Sequence, residues 1–249
     1  MRPALALAAL LTAVSVPAVK AESLKEMIAA EPEAFNEAVA DYLLSNPEII
    51  IEAMKVLQTR EDDAAAVRDI EMLAANREAI FNSAADWAGG NLQGDVVMVE
   101  FMDYRCGYCQ KAYAEVEELV KSDGNIRFVL KEFPVLGDQS VLASKFAIAV
   151  RMLHGDDAYK KAHDALFTMR GEMSPETLTR LAEELGFDGA VLLAKAATPE
   201  VQAVIDANYA LADTLQINGT PTFVLEGAMV RGYVPLDGMR QIVERQREG

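Results

Sequence analysis

The spacing of apolar positions changes several times along this chain, and each change marks an element boundary. "SLKEMIAA", with Ser23 and Glu26 in a capping-box arrangement, predicts a short helix. "PEAFNEAVADYLLSN" predicts a second, with Phe35, Val39, Tyr42 and Leu43 at helical intervals. Asn46 then precedes Pro47, a cap followed by a proline at the first helical position. No Gly or Pro follows until about Trp87, so the pattern predicts one helix of about 35–40 residues, roughly 55 Å long. Its apolar positions Ile50, Met54, Leu57, Ala64, Val67, Ile70, Leu73 and Ile80 suit a helix, but "TREDDAAAVRD" in the middle is too thinly apolar for a sustained coiled coil. Such an arm needs a surface to cover it, and self-association is favoured over packing on its own domain. "AGGNLQGD" breaks the pattern, placing a linker at residues 88–94.

From Asp95 onward the period shortens. "DVVMVEF" is a buried-strand run that leads into "RCGYC" and then the helix "QKAYAEVEELVKSD", after which "IRFVLKEF" is a second strand. Strand, helix and strand at this spacing form a parallel βαβ unit. Residues from about 139 to 216 read as helix throughout, and "TFVLEG" and "AMVRGY" are two short strands turning at Glu226 and Gly227 before a final helix, Leu236 to Gln246. The expected fold is α/β: βαβ plus ββα over residues 95–249, with a helical insertion and an N-terminal helical arm over residues 22–87.

Charge and the first residues set the compartment. A net charge of −16 offers no positive field for a phosphate backbone, which argues against nucleic acid as a partner. "MRPALALAALLTAVSVPAVKA" has the layout of a secretory signal peptide over residues 1–21, with small residues Val19 and Ala21 at the cleavage positions. Cleavage there removes Arg2 and Lys20 from the 23 basic residues and none of the 39 acidic ones, bringing the net charge to −18. Outside the cytoplasm disulfides persist, so an exported, periplasmic protein can carry cysteines as disulfides.

The chain has two cysteines, Cys106 and Cys109, where the first strand gives way to a helix. That position aims backbone N–H groups and the helix dipole at Cys106 and favours its thiolate, while Cys109, nearly one turn on, should be buried beneath it. A c-type haem needs His after the second cysteine, and Gln110 stands there. Zinc would need His154 and His163, nine residues apart instead of three to five, so no metal site is expected. A staple across two residues would restrict little chain entropy. Redox exchange is the reading that remains.

With "EFMDYRCGYC", the helical block and "GTPTFV", residues 95–249 resemble the DsbA-like thioredoxin-fold oxidoreductases. "LSNPEIIIEAMKVL" resembles the arm of the ScsC-type periplasmic proteins. The resemblance implies Cys106 as the nucleophile and Cys109 as the resolving thiol, with Gly107 and Tyr108 between them meeting substrate. It implies Pro221 as a cis-proline facing them, and Thr220 as the residue whose backbone pairs with bound peptide. It also implies Glu100 as a buried acid relaying protons to Cys109, with Lys131 as its charge partner. Tyr104, Tyr108 and Phe133 are expected to form an apolar rim for unfolded substrate. No cofactor is implied beyond the Cys106–Cys109 disulfide. The implied partners are unfolded or misfolded exported proteins, a membrane redox partner, and further copies through the N-terminal helices. Gly-Tyr replaces the Pro-His of the strongly oxidising DsbA, which removes an imidazole from the site and tilts the expectation to isomerase or reductase. The alternatives are a dithiol oxidase and a copper-handling protein, the latter weakened by methionines that are scattered rather than clustered.

Overall fold

The computed structural model describes residues 24–248, so the signal-peptide expectation and Ser23 of the capping box lie outside the described residues. The chain divides into two units at Arg60/Glu61. The first unit contains α1 (Leu24–Ala30), α2 (Pro32–Ser45) and the start of α3 (Glu48–Ala75). No residue of α2 is buried. Phe35, Val39 and Tyr42 lie exposed at helical spacing, as do Ile50, Met54 and Leu57 on α3.

The single long helix expected up to Trp87 is interrupted. α3 ends at Ala75, and α4 (Arg77–Phe81) restarts after Asn76. The Asn76 side chain explains the break: its Nδ2 donates to the Met72 carbonyl at 2.8 Å, competing with the backbone ladder. The expected linker also changes character, because Trp87–Gly90 is a strand, β1, rather than a connector. The Trp87 indole occupies the space above Gly89, where an added Cβ would lie 2.2 Å from the ring. Leu73, Ile80 and Phe81 are buried in the second unit, so that unit begins well before Asp95.

Five strands form one sheet in the order β1-β3-β2-β4-β5. β2 (Val96–Met102) and β3 (Ile126–Glu132) run parallel on either side of α5 (Gly107–Asp123), completing the βαβ unit. β4 (Thr222–Leu225) and β5 (Ala228–Arg231) turn at Glu226–Gly227, and β4 pairs antiparallel with β2. α6 (Asp138–His154), α7 (Asp156–Thr168), α8 (Pro175–Glu184), α9 (Gly189–Ala196) and α10 (Pro199–Thr214) form the insertion, and α11 (Leu236–Glu248) closes the chain.

The sheet separates two cores. Met98, Met102, Phe128 and Leu130 pack with α5 and the insertion. Val99, Phe101, Val129 and Phe133 pack with Leu73, Ile80, Phe81 and Leu211. Strand alternation assigns each residue to one face, and this parity decides which charged groups reach the cysteines.

Candidate active site

α5 begins at the cysteines because its apolar face is complete from there: Cys109, Ala112, Val116 and Leu119 are buried at intervals of three and four. Cys106 is the N-cap, in extended conformation, and its Sγ accepts from the Cys109 N–H at 3.4 Å. As a thiol it donates to the Thr220 carbonyl at 3.2 Å. The Thr220–Pro221 peptide bond is cis. The structure holds both cysteines as free thiols, Cys106 7% exposed and Cys109 fully buried.

The two thiols ionise very differently. Cys106 is lowered to about 5, first by the hydrogen bond from the Cys109 thiol, against opposing desolvation, with further help from Thr220 and the N–H groups of Cys109 and Tyr108. Burial pushes Cys109 far upward, reinforced by its bond to Cys106 and by the nearby Glu100 carboxyl. One sulfur is thus ready to attack at neutral pH, and the other stays protonated until a base accepts its proton.

Glu100 sits on the face toward α5, 5% exposed, and makes no hydrogen bond among the described residues. Its carboxyl is raised to about 8, chiefly by burial and then by the Cys106 and Glu117 charges. Lys131, expected beside it, lies elsewhere. In the parallel register Glu100 faces Leu130 and Lys131 faces Phe101, so the Lys131 side chain leaves by the opposite face. There it pairs with the buried Asp86 and donates to the Ala79 carbonyl at 2.8 Å.

The expected rim also needs correcting. Tyr104 and Phe133 are buried, and only Tyr108 stands out, 64% exposed. The Tyr104 hydroxyl turns inward and donates to Glu132 Oε1 at 2.8 Å, as the Tyr159 hydroxyl does at 2.7 Å. The Tyr104 hydroxyl also lies 3.2 Å from His163 Nδ1, which closes a buried polar cluster with Glu132. The exposed apolar residues near the site are Tyr108, Val135 and Leu136. Tyr108 stacks on Tyr233, whose hydroxyl donates to Glu115 at 2.8 Å and whose ring carries Lys111 Nζ 4.2 Å from its centre. Gly107 is unconstrained, since an added Cβ would meet nothing within 4 Å.

Sequence reasoning missed Asp103. Fully buried, its carboxylate accepts from the N–H groups of Arg105, Val135 and Leu136 and from the Ser140 hydroxyl, at 2.8 to 3.0 Å. Its carbonyl also accepts from Cys106 N–H at 3.1 Å. This one residue ties the nucleophile's loop to the loop after β3. An acidic residue three before a cysteine was the only trace of it in the sequence. Among the described residues, no three His, Cys, Asp or Glu side chains converge to hold a metal.

Comparison with known proteins agrees with this geometry. The DSBA-like thioredoxin domain family matches residues 97–244, and the copper resistance protein ScsC N-terminal domain matches residues 32–64. A thioredoxin-like oxidoreductase from Silicibacter pomeroyi is 41% identical and superposes with a TM-score of 0.66, over 70% of this chain and 99% of that one. Proteus mirabilis ScsC in a transitional conformation is 27% identical, with a TM-score of 0.65 over 88% and 97%. The Na(+)/H(+) antiporter NhaA 1 of Salinispora arenicola is 30% identical over 158 residues, which is 64% of this chain and 24% of that protein. The chain spans about a quarter of the length of the curated relatives it matches.

Proposed function

The chain belongs to the DsbA-like thioredoxin domain family, and from that premise we propose that it is a periplasmic thiol–disulfide oxidoreductase acting on unfolded or misfolded exported proteins. The observation that carries the reading is the unequal pair: Cys106, lowered to about 5 at a helix N-terminus, above the buried, proton-holding Cys109.

The Cys106 thiolate attacks a substrate disulfide, forming a mixed disulfide and releasing the other substrate sulfur as thiolate. In isomerisation a different substrate thiolate attacks the substrate sulfur of the mixed disulfide, forming a new substrate disulfide and expelling Cys106 as thiolate. In reduction, Cys109 gives its proton to the Glu100 carboxylate and attacks the Cys106 sulfur, which closes the Cys106–Cys109 disulfide and expels the substrate thiolate. Thr220 offers its backbone to an extended substrate segment beside Pro221. Tyr108, Val135 and Leu136 supply apolar contact.

The direction we favour is isomerase or reductase. It is supported by the absence of an imidazole between the cysteines and by an N-terminal unit whose apolar side chains lie exposed along α2 and α3. In this reading copies associate through those helices, and a membrane partner keeps Cys106 reduced. Sedimentation of the mature protein, together with scrambled-ribonuclease refolding by wild type and Cys106→Ala, tests it. The expectation is an oligomer that reshuffles disulfides and a variant that does not. A monomer that oxidises dithiols but cannot reshuffle would favour the oxidase, and loss of all exchange chemistry in the wild type would end the proposal.

A further inference from the structure

The partners of the buried Asp103 carboxylate are all neutral groups. Oδ1 accepts from the Arg105 N–H and the Ser140 hydroxyl, both at 2.8 Å, and Oδ2 from the N–H groups of Val135 and Leu136 at 2.8 and 3.0 Å. With two donors on each oxygen the carboxylate is saturated, so its orientation is fixed from every side. The donors come from the loop before α5, from the lip after β3 formed by Val135 and Leu136, and from the first turn of α6. The Arg105 guanidinium adds a second tie between the first and last of these by donating to Gln139, the neighbour of Ser140.

The backbone of the same residue meets the cysteine pair. Its carbonyl accepts from the Cys106 N–H at 3.1 Å. Burial raises the Cys109 thiol most, and a hydrogen bond from the Asp103 N–H to that sulfur works against it. Asp103 therefore holds the lip with its side chain and both cysteines with its main chain. The Val135 and Leu136 side chains stay exposed while their N–H groups are anchored.

We propose that Asp103 is a positioning residue for peptide substrates, registering the lip that receives the peptide with the sulfur that attacks and the sulfur that resolves. This rests on the reading that Cys106 attacks, Cys109 resolves and the lip meets substrate. A small disulfide that does not reach the lip needs only the Cys106 thiolate. An extended peptide needs lip and thiolate in register, because reacting atoms must be held in line. Asp103 thus sets the preference for peptide over small disulfides and the rate at which Cys109 closes on a peptide-loaded Cys106. No atom passes through Asp103. The Cys106 thiolate bonds to the peptide sulfur and expels the leaving thiolate, and Cys109 then bonds to Cys106 and expels the peptide thiolate.

The test offers the reduced mature chain two mixed disulfides of thionitrobenzoate, one on a peptide with leucines beside its cysteine and one on N-acetylcysteinamide. Release of thionitrobenzoate reads attack by Cys106, and release of the peptide thiol reads resolution by Cys109. Asp103→Asn keeps the size but turns an NH₂ toward one pair of donors, so at least one backbone N–H loses its acceptor. The ratio of peptide to small-disulfide attack rates should fall by about 10-fold and resolution should slow by about 10-fold, within the ~100-fold that a misplacement of about 1 Å costs. Ser140→Ala removes one of the carboxylate's bonds and should give a smaller defect of the same kind; it decides the matter if Asp103→Asn does not fold. Partial unfolding moves both attack rates together, so a wild-type ratio with wild-type resolution in the folded variants would overturn the proposal. If Cys106→Ala still releases thionitrobenzoate at the wild-type rate, the assignment of the nucleophile fails instead.

Discussion

Replacing Cys109 by Ala should raise the pH at which Cys106 ionises. The largest cause of the low value near 5 is the hydrogen bond from the Cys109 thiol, ahead of the Thr220 and backbone contributions. A hydrogen bond to a charged group contributes about 1.5–3 kcal/mol, and one pKa unit is ~1.4 kcal/mol, so its loss should shift the midpoint up by about 1–2 units. The Tyr108 and Cys109 N–H groups and the dipole of α5 remain, which keeps the thiol below its ordinary value of 9.0. Thiolate ultraviolet absorbance and the rate of iodoacetamide alkylation, both followed against pH, report the midpoint. The same ionisation affects folding. The folded Cys106 titrates below the unfolded thiol, so the unfolded chain holds more protons between about 5 and 9. Reduced wild type therefore gains stability as pH rises through that window and loses it as pH falls through about 5, and Cys109→Ala narrows the window from below. A midpoint unchanged in Cys109→Ala would refute the reasoning and assign the effect to the helix N-terminus alone.

Lys131→Met should leave Asp86 charged, buried and unpaired, at a cost of about 3–5 kcal/mol, lowering Tm by on the order of 10 °C. Thiol exchange well below the transition should be unchanged, and a loss of exchange with an unchanged Tm would show that Lys131 does serve the cysteines. Glu132, raised to about 8 by burial, holds its proton in the folded chain where the unfolded chain has lost it, so stability falls as pH rises from about 4.5 to 8. Glu132→Gln should flatten that fall by on the order of 5 kcal/mol, read from urea midpoints across the range, and a slope equal to wild type would count against a buried neutral acid. A chain starting at Glu61 should fold and retain thiol exchange. One starting at Asn91 should not fold, because it lacks β1 and the buried Leu73, Ile80, Phe81 and Trp87; circular dichroism with an insulin-reduction assay separates the two.

What the sequence made legible is what depends on local pattern. The run before Cys106 is β-branched and apolar, and the run after it is helical, so the strand–cysteine–helix junction could be placed directly. The Thr-Pro strand entry was legible for the same reason. The rest depended on partners distant in the chain. Gly89 and Gly90 read as breakers, yet Gly89 gives the Trp87 indole room and Gly90 lies close against the Ile126 carbonyl and Val120 on an edge strand paired with β3, a fact visible only once β3 is in place. The family resemblance implied Lys131 as the charge partner of Glu100, but one step of register sends it to the other core. Tyr104 looked like a rim residue because it is aromatic and near the cysteines, whereas its hydroxyl finds Glu132, 28 residues on.

Asp103 has a consequence for how the surface around Cys106 can change over generations. It holds Val135 and Leu136 by their backbone N–H groups, which every residue except proline possesses. The side chains at those two positions stand 42% and 51% exposed and carry no part of the loop's anchorage. Their identities are therefore free to drift or to be selected without unfolding the loop. If substrate is read at this lip as proposed, its preference can change while the sulfur chemistry next to it stays fixed.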